Sequence, residues 1–368
     1  MESIKHWVAL NMVLGVGKTL FHRLVEALGS PENVFTASSG ELMRVEGIGQ
    51  KTAAEIKNFK IDDYVEREFR LARKLGIRIL TVESPEYPPL LKSIYDPPPI
   101  IYCRGLNLDR FTVPIAVVGT RIPTHYGKTV AEKICGSLAS MGVCIVSGFA
   151  RGIDTLAHKA AIKAGGTTVA VFGCGLNHTY PPENSGLEDK ILQTGAIISE
   201  FPISMGPERN NFPARNRLIS GMCYGTVIVE AGEKSGALIT AQFALEQGRE
   251  VFAVPGNINS PKSRGTNRLI KMGAKLVDCL DDVVEELSFS VKSMLKSAQQ
   301  ESPVATNLTP KEKEVISLLS VEEKHIDNLI ENSGLSPAEV SATLVQLELR
   351  GLVRQTEGKR FVSICGVD

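Results

Sequence analysis

Glycines and arginines stand together at two places in the middle of the chain, in Gly119-Thr120-Arg121 and in the run 147–154, "SGFARGID". Backbone N–H groups left open by glycine and the guanidinium groups of arginine are strong hydrogen-bond donors to phosphate oxygens. A neutral metabolite needs no such set of donors. The two runs therefore predict a phosphate-binding surface, made of Gly119, Arg121, Ser147, Gly148, Arg151 and Gly152.

A third segment, "NNFPARNRLISG" at 210–221, adds groups suited to an unpaired strand of nucleic acid. If this segment is extended, Arg215 and Arg217 project to one side and Asn216 to the other. Phe212 then offers an aromatic face for a base to stack on, unless it is a core residue. Arginine for phosphate, an aromatic ring for a base and an amide for a base edge are together typical of a single-strand groove.

Two acidic residues near these segments have competing interpretations. Asp154 stands where a helix N-cap would be, and we expect it to cap the helix that follows. Glu230 opens "EAGEKSGALITA" at 230–241 and could accept from a base amine or a ribose hydroxyl, although we favour a pairing with a nearby arginine. In the same run, Ser235 and Gly236 could add N–H donors at the start of a helix.

Charge is unevenly distributed along the 368 residues. The whole chain is neutral, with 41 basic and 41 acidic side chains. Residues 100–280 alone carry 19 basic and 13 acidic side chains, whereas the parts on either side are neutral or acidic. We interpret this as a central part that meets an anion, with chance asymmetry as the alternative.

Apolar runs that end in glycine loops and lead into helices recur between 112 and 280. The predicted strands cover 113–120, 142–149, 167–175, 225–232 and 250–257, with a sixth at 274–279. Continuous apolar strands that alternate with helices are typical of a parallel sheet covered on both faces. The sequence therefore predicts an α/β protein with a Rossmann-like doubly wound parallel sheet. Ligands of such sheets bind outside the carboxyl ends of the strands, where these glycines and arginines stand.

The stretch "LGVGKTL" at 14–20 looks like the end of a phosphate-binding P-loop, but Met12 stands where that loop needs its first glycine. Gly15-Val16-Gly17 and Gly47-Ile48-Gly49 each precede a predicted helix, which favours a helix-hairpin-helix repeat. Such a repeat either contacts a nucleic-acid backbone or is purely structural. Lys18 would accordingly lie near a phosphate backbone or in solvent.

Five segments are predicted along the chain: a helical helix-hairpin-helix-like (SAM-like) domain at 1–60, a connecting segment at 61–111, the Rossmann-like domain at 112–287, a linker at 288–308 and a winged helix-turn-helix domain at 309–368. The connecting segment is predicted to hold a helix, a short strand and proline-rich irregular chain.

The third helix of the winged-helix segment, 337–350, carries Glu339, Glu348 and only one basic residue, Arg350. An acidic helix fits a DNA groove poorly, so we predict a protein-interaction or regulatory module. Binding of DNA stays open because the wing is basic, with Arg354, Lys359 and Arg360.

Several classes of protein are disfavoured. Because there is no signal-peptide hydrophobic region and no apolar run of about 18 residues, we expect a cytoplasmic protein. The seven cysteines are scattered without a CxxC pair, which indicates buried free thiols. HExxH and DxDxDG patterns are also absent and the six histidines are dispersed, so we predict no metal, no cofactor and no catalytic residues.

The motifs "VVGTR", "SGFARGIDTLAHKAAI", "FPARNRLISG" and "GTNRLIKMGA" together closely resemble those of the DNA-processing protein A (DprA/Smf) family, most densely over 80–280. The resemblance implies a non-enzymatic protein that binds single-stranded DNA, protects incoming strands in natural transformation and loads the RecA recombinase onto them. It also implies a homodimer formed through the Rossmann domain.

The resemblance and the residue types together define a predicted DNA site. It comprises Gly119, Arg121, Ser147, Gly148, Arg151, Gly152, Arg209, Phe212, Arg215, Asn216, Arg217, Ser235 and Gly236. The chain departs from the family pattern twice. Thr120 replaces a commoner serine, and Pro182 stands where some members have a DNA-binding lysine, for which Arg209 could substitute.

The main alternative is a nucleotide-processing enzyme of the phosphoribohydrolase type. Those enzymes combine a Pro-Gly-Gly-x-Gly-Thr loop with a catalytic glutamate. The corresponding run here, "EAGEKSGALIT", lacks the double glycine but keeps Glu230. A dinucleotide oxidoreductase is disfavoured further because "VVGTRIP" is not GxGxxG.

Overall fold

The computed structural model describes residues 2–287, 291–293, 309–319, 324–349, 352–356 and 358–363. The chain forms two compact units, residues 1–299 and residues 300–368. Within the described residues, no helix is both long enough and apolar enough to cross a bilayer.

The first unit begins with six helices: α1 Glu2–Met12, α2 Lys18–Leu28, α3 Pro31–Thr36, α4 Ser39–Met43, α5 Gln50–Asn58 and α6 Ile61–Leu75. The predicted repeat is present, because α2 follows Gly15-Val16-Gly17 and α5 follows Gly47-Ile48-Gly49. Gly15 and Gly47 both have positive φ, 87° and 90°, a conformation that side-chain-bearing residues rarely adopt. The six helices share a hydrophobic core with strands of the sheet.

A nine-stranded sheet follows. Its strands are β1 Arg78–Thr81, β2 Ile100–Gly105, β3 Pro114–Val118, β4 Cys144–Ser147, β5 Thr168–Val171, β6 Ala196–Ser199, β7 Gly225–Ile228, β8 Glu250–Ala253 and β9 Lys275–Leu276. They are arranged in the order β1-β2-β6-β5-β4-β3-β7-β8-β9. The seven strands from β6 to β9 in that order are parallel, while β2 pairs antiparallel with both β1 and β6. Strand order reverses between β3 and β7, which places the crevice of a doubly wound sheet there.

Further α-helices in the described part of this unit are α7 Pro89–Lys92, α8 His125–Ser140, α9 Ile153–Lys163, α10 Ser185–Thr194, α11 Asn211–Gly221, α12 Gly236–Glu246, α13 Arg264–Lys271 and α14 Asp281–Glu286. Strand β3 illustrates how they cover the sheet. Ile115 and Val117 pack with residues of α8 and α9, whereas Ala116 and Val118 pack with residues of α11 and α12. Because successive strand residues face opposite sides, both faces of the sheet are buried. The predicted fold class is confirmed.

All six strands predicted from apolar runs are present, but two strands of this sheet, β2 and β6, were not predicted. β2 directly follows the run Pro97-Pro98-Pro99 in a segment that we expected to be irregular, and β6 is a four-residue run between a helix and a loop. β6 is buried throughout, and so are the first four residues of β2. The segment 210–221 is the helix α11, so the expectation of an extended strand is wrong.

The second unit contains helices α15 Pro310–Leu318, α16 Ile326–Ser333 and α17 Pro337–Leu349, and strands β10 Lys324–His325, β11 Val353–Thr356 and β12 Arg360–Ser363. The strands form a sheet in the order β10-β12-β11. This is the predicted winged helix. Arg350, Glu357, most of the predicted linker and the side chain of Arg354 lie outside the described residues.

The cysteines follow the expectation in the described part of the chain. Cys103, Cys135, Cys144, Cys174 and Cys223 are buried free thiols and Cys279 is a partly exposed one. Cys365 lies outside the described residues.

Candidate nucleic-acid interface

The segment after β3 is fixed at the crevice between β3 and β7. The N–H of Thr120 donates to the carbonyl oxygen of Glu230 at 2.7 Å, and the carbonyl of Thr120 accepts from the N–H of Ile153 at 3.2 Å. A Cβ atom on Gly119 would lie 2.6 Å from Cγ1 of Ile153, so the close approach to α9 requires glycine. Arg121 follows with an exposed side chain. A rigid backbone therefore presents a solvent-facing guanidinium.

The loop from Gly148 to Gly152 connects β4 to α9 in an unusual backbone conformation. Phe149 has φ of 60° and Gly152 has φ of 79°. A Cβ atom on Gly152 would lie 2.3 Å from the carbonyl oxygen of Thr120. Arg151 is exposed at the tip of this loop and forms an ion pair with Glu183.

Three consecutive carbonyl oxygens of this loop each accept a side-chain hydrogen bond. Gly148 accepts from Nη1 of Arg215 at 2.7 Å, Phe149 from Nδ2 of Asn184 at 3.1 Å, and Ala150 from Oγ1 of Thr155 at 2.7 Å. The loop is thus held in place from inside the protein.

Asp154 does not cap α9 as predicted, because Gly152 is the N-cap residue and Asp154 lies in the first turn. Its Oδ2 instead accepts from the N–H of Ala150, and burial raises the pKa of this carboxyl group although the nearby Arg215 lowers it. Asp154 therefore stabilises the loop that precedes the helix.

Arg215 lies beneath the loop, with an exposed fraction of only 4%. Besides Gly148, Nη1 donates to the carbonyl of Val171, and Nε donates to Oδ1 of Asn216 at 3.2 Å. Burial lowers the pKa of the guanidinium to about 10. This arginine is engaged entirely within the protein.

Arg217 is equally buried but lies elsewhere. It pairs with Glu200, its Nε lies 3.2 Å from Oδ2 of Asp96, and its Nη1 donates to the carbonyl of Asp96 at 2.7 Å. Nζ of Lys18 lies 2.6 Å from Oε2 of the same Glu200. Lys18, which was expected to lie near a phosphate backbone or in solvent, therefore forms an ion pair that links α2 to the sheet domain, while 29% of its side chain stays exposed.

The helical conformation explains why the two arginines diverge. Residues two apart in a strand share a face, but in a helix they are about 200° apart. Arg215 consequently points to the loop after β4, and Arg217 points to the end of β6 and the proline run.

Phe212 lies on the first turn of α11, half-buried against Gly173, where a Cβ would lie 2.7 Å from the ring. Its ring centroid is 5.4 Å from that of the partly exposed Tyr180, which the sequence reading missed. Tyr180 lies in the run "HTYPPEN" at 178–184, and no sequence pattern near this run indicates that it contacts the segment 210–221. Arg209 precedes α11 and is exposed.

Of the two residues predicted at the start of α12, Ser235 has a structural role. Ser235 is the N-cap of α12 and accepts from the N–H of Ala237, while Gly236 is exposed. Nδ2 of Asn216 lies 3.5 Å from the carbonyl of Gly236.

Ser147 is fully buried and donates to the carbonyl of Val117 at 2.6 Å. Its hydroxyl is thus occupied.

Glu230 does not pair with an arginine, contrary to the favoured expectation. Oε1 accepts from the hydroxyl of Thr124 at 2.6 Å and Oε2 accepts from the N–H of Thr124 at 2.9 Å. The carboxylate is buried against Gly127 in the first turn of α8.

Comparisons with known proteins agree with this architecture. Residues 78–288 match the model of the DNA recombination-mediator protein A family, residues 299–359 that of the DprA winged helix domain, and residues 9–59 that of the SAM-like helix-hairpin-helix tandem. Protein Smf of Synechocystis sp. is 34% identical over 97% of this chain and 98% of its own length. The DNA processing protein DprA of Bacillus subtilis is 43% identical over 65% of this chain and 81% of its own length.

Two solved structures are similar as well. The DNA processing protein A of Streptococcus pneumoniae is 35% identical with a TM-score of 0.69, covering 77% of this chain and 98% of that one. A structure of the Helicobacter pylori protein, which addresses its single-stranded DNA binding mode, is 30% identical with a TM-score of 0.53, covering 61% of this chain and 97% of that one. With a family match over more than half of its residues, this chain belongs to the DNA recombination-mediator protein A (DprA/Smf) family.

Proposed function

We propose that the surface at the carboxyl ends of β3, β4 and β5 binds single-stranded DNA. The observation that carries the proposal is the exposure of Arg121 and Arg151 on two glycine-held segments at the same sheet edge as the Tyr180–Phe212 ring pair. Guanidinium groups suit phosphates, and accessible aromatic rings suit unpaired bases. The Helicobacter pylori relative, whose structure addresses single-stranded DNA binding, supports it.

Burial divides the predicted site residues into two groups. We propose direct contact with DNA for the accessible or partly accessible ones, which are Gly119, Arg121, Arg151, Gly152, Arg209, Phe212, Asn216 and Gly236, whereas we propose that the buried Gly148 holds the loop in position through its carbonyl oxygen. We propose a positioning role for Ser147, Arg215, Arg217 and Ser235, whose polar groups already bind within the protein.

We further propose a non-enzymatic role in the cytoplasm. The buried carboxylates that an enzyme would use have structural partners: Asp154 binds Ala150, Glu200 binds Arg217 and Glu230 binds Thr124. On the names of its relatives, which are DNA processing proteins, we propose that the protein protects incoming strands in natural transformation or recombination and loads RecA onto them.

A homodimer through the Rossmann domain is part of the proposal. β9 is a two-residue edge strand, and large apolar side chains are exposed on it and on nearby elements that contact β8. They are Ile239, Leu245, Met272 and Leu276. Exposed apolar side chains beside an open sheet edge are suited to contact with a second copy of the chain. For the winged helix we propose a protein partner.

The test is fluorescence anisotropy of a labelled oligo-dT in a salt series. Arg121→Ala should weaken binding and flatten the slope of log K against log salt by about 0.7, the loss of one phosphate contact. Lys163→Ala is the matched control, since Lys163 is an exposed cation at the other end of α9. Equal slopes for the wild type and Arg121→Ala would reject the site. Incubation with AMP, with no hydrolysis expected, tests the enzymatic alternative.

A further inference from the structure

A cavity of about 560 Å³ opens on the far side of the crevice from the glycine loop. It lies where β7 and β8 end and α8 begins, and the lining residues that matter here are Thr124, Tyr126, Glu230, Asn257, Ser260 and Ser263. Its volume falls within the ordinary range of small-molecule pockets. None of the residues proposed above to contact DNA lines it.

Glu230 gives the cavity its chemical character. Both carboxylate oxygens are held by Thr124, so the carboxylate has a fixed position, yet each oxygen retains a further lone pair. The side chain is 2% exposed, and none of the described residues lining the cavity is basic. A phosphate would be repelled here, and a ligand N–H donor would be attracted.

The mouth of the cavity is mixed in character: it has an aromatic ring and exposed apolar residues near it in sequence, and Nζ of Lys262 donates to the carbonyl oxygen of Ile122 at 2.5 Å. The ring of Tyr126 is partly exposed and is oriented by its hydroxyl, which donates to the carbonyl of Pro255 at 2.8 Å. Ile258 directly follows the lining residue Asn257 and is 84% exposed, and Ile122, two residues before Thr124, is 74% exposed. An exposed aromatic ring beside a polar interior suits a flat ligand ring with polar substituents.

The cavity is adjacent to the proposed phosphate contacts. The backbone N–H of Thr120 donates to the carbonyl of Glu230, and Arg121 is the next residue. A single DNA strand with a phosphate bound to Arg121 would therefore pass beside the cavity that contains the Glu230 carboxylate.

We propose that this cavity receives an unpaired nucleobase with an exocyclic amino group, and that Glu230 accepts a hydrogen bond from the amine. The inference rests on the proposed binding of single-stranded DNA and makes that binding dependent on base identity. Cytosine presents an N4 amine to a carboxylate, whereas thymine presents the O4 carbonyl oxygen, which a carboxylate repels. A single such contact discriminates between bases by roughly fivefold to a hundredfold.

The experiment compares oligo-dC and oligo-dT of equal length by anisotropy, at mildly alkaline pH so that oligo-dC stays single-stranded. The readout is the ratio of the two dissociation constants. We expect the wild type to favour oligo-dC, Glu230→Gln to lose most of that preference, and Arg121→Ala to weaken both oligomers while leaving the ratio unchanged. Ser260→Phe, which places a large ring in the cavity and leaves Glu230 unchanged, should also remove the preference. It serves as the second variant if Glu230→Gln proves unstable.

Free 2′-deoxycytidine and thymidine are the small-molecule arm, followed by chemical-shift changes. A preference for the amino-bearing base that is lost in Glu230→Gln supports the proposal in either arm. No preference in both arms, or a preference retained by both cavity variants, overturns it. Binding of oligo-dT that depends on Arg121 would leave the proposed function standing even then, so the two failures are distinguishable.

Discussion

Nη1 of Arg215 donates a hydrogen bond of 2.7 Å to the carbonyl oxygen of Gly148, and the same atom donates to the carbonyl of Val171. The arginine thus joins α11 to the ends of β4 and β5 from below the glycine loop. Arg215, which was predicted as a DNA-binding residue, thus occupies a buried position that supports the loop.

Arg215→Ala should therefore destabilise the fold as well as weaken DNA binding. The two carbonyls would lose their donor, and Asp154 would lose its neighbouring positive charge, which together costs about 3 kcal/mol or more of unfolding free energy. Urea denaturation measures this loss. Arg121→Ala is the comparison, because an exposed side chain should change stability by no more than about 0.5 kcal/mol. Equal stability of the two variants would contradict the positioning role.

The Lys18–Glu200–Arg217 cluster makes a second prediction about stability. Arg217→Ala leaves Glu200 buried, with Lys18 as its remaining cation, and should cost about 3–5 kcal/mol of unfolding free energy. Lys18→Ala leaves the Arg217 pair intact and should cost about 1 kcal/mol. Thermal or urea unfolding of both variants provides the measurement. The idea fails if Lys18→Ala is the more damaging change.

His158 predicts how stability depends on pH. Its Nδ1 lies 2.7 Å from Oγ1 of Thr168, whose hydroxyl donates to the carbonyl of Ile145, so Nδ1 carries the proton and the ring is neutral. Burial lowers the pKa of His158 to about 3. The unfolded chain binds a proton below pH ~6.5 and the folded chain does not, so stability falls as the pH drops through this window.

The loss attributable to His158 should reach roughly 4 kcal/mol by pH 3. His158→Asn keeps a donor to Thr168 but does not titrate, and it should flatten the dependence of unfolding free energy on pH between about 6.5 and 3. Urea titrations at several pH values measure it. Identical pH profiles of the two proteins would show that His158 does not control this window.

Tyr180→Ala tests the aromatic part of the interface. Loss of one stacked base should weaken single-stranded DNA binding by about 1–3 kcal/mol, with little dependence on base identity. Tyr95→Ala is the matched control, since Tyr95 is 91% exposed but lies in the connecting segment. Anisotropy with oligo-dT compares them, and equal affinities would remove Tyr180 from the site.

The sheet could be predicted from sequence because each central strand is a continuous apolar run ending in glycine, as in 113–120. β2 was not predicted, because three prolines precede it and indicate irregular chain. Its burial also depends on antiparallel pairing with β1 and β6. No local pattern contains that pairing. The exact limits of the five predicted segments stay predictions.

The candidate site could be predicted in part. Gly119, Arg121 and Arg151 were found because they follow strands whose carboxyl ends meet at one edge. The burial of Arg215 and Arg217 was not foreseeable, because arginine is seldom buried and the partners that make it possible, such as Val171, Asp96 and Glu200, are distant in sequence. Glu230 was misjudged for the same reason, since its partner Thr124 belongs to another element.

The three side-chain hydrogen bonds to the carbonyls of Gly148, Phe149 and Ala150 also bear on recognition. A loop whose conformation is already fixed loses little conformational entropy when a ligand arrives. The backbone N–H groups of 148–152 are thus ordered when the chain folds, before single-stranded DNA binds. Weakening these tethers should make DNA binding more costly in entropy even where every contacting residue is intact.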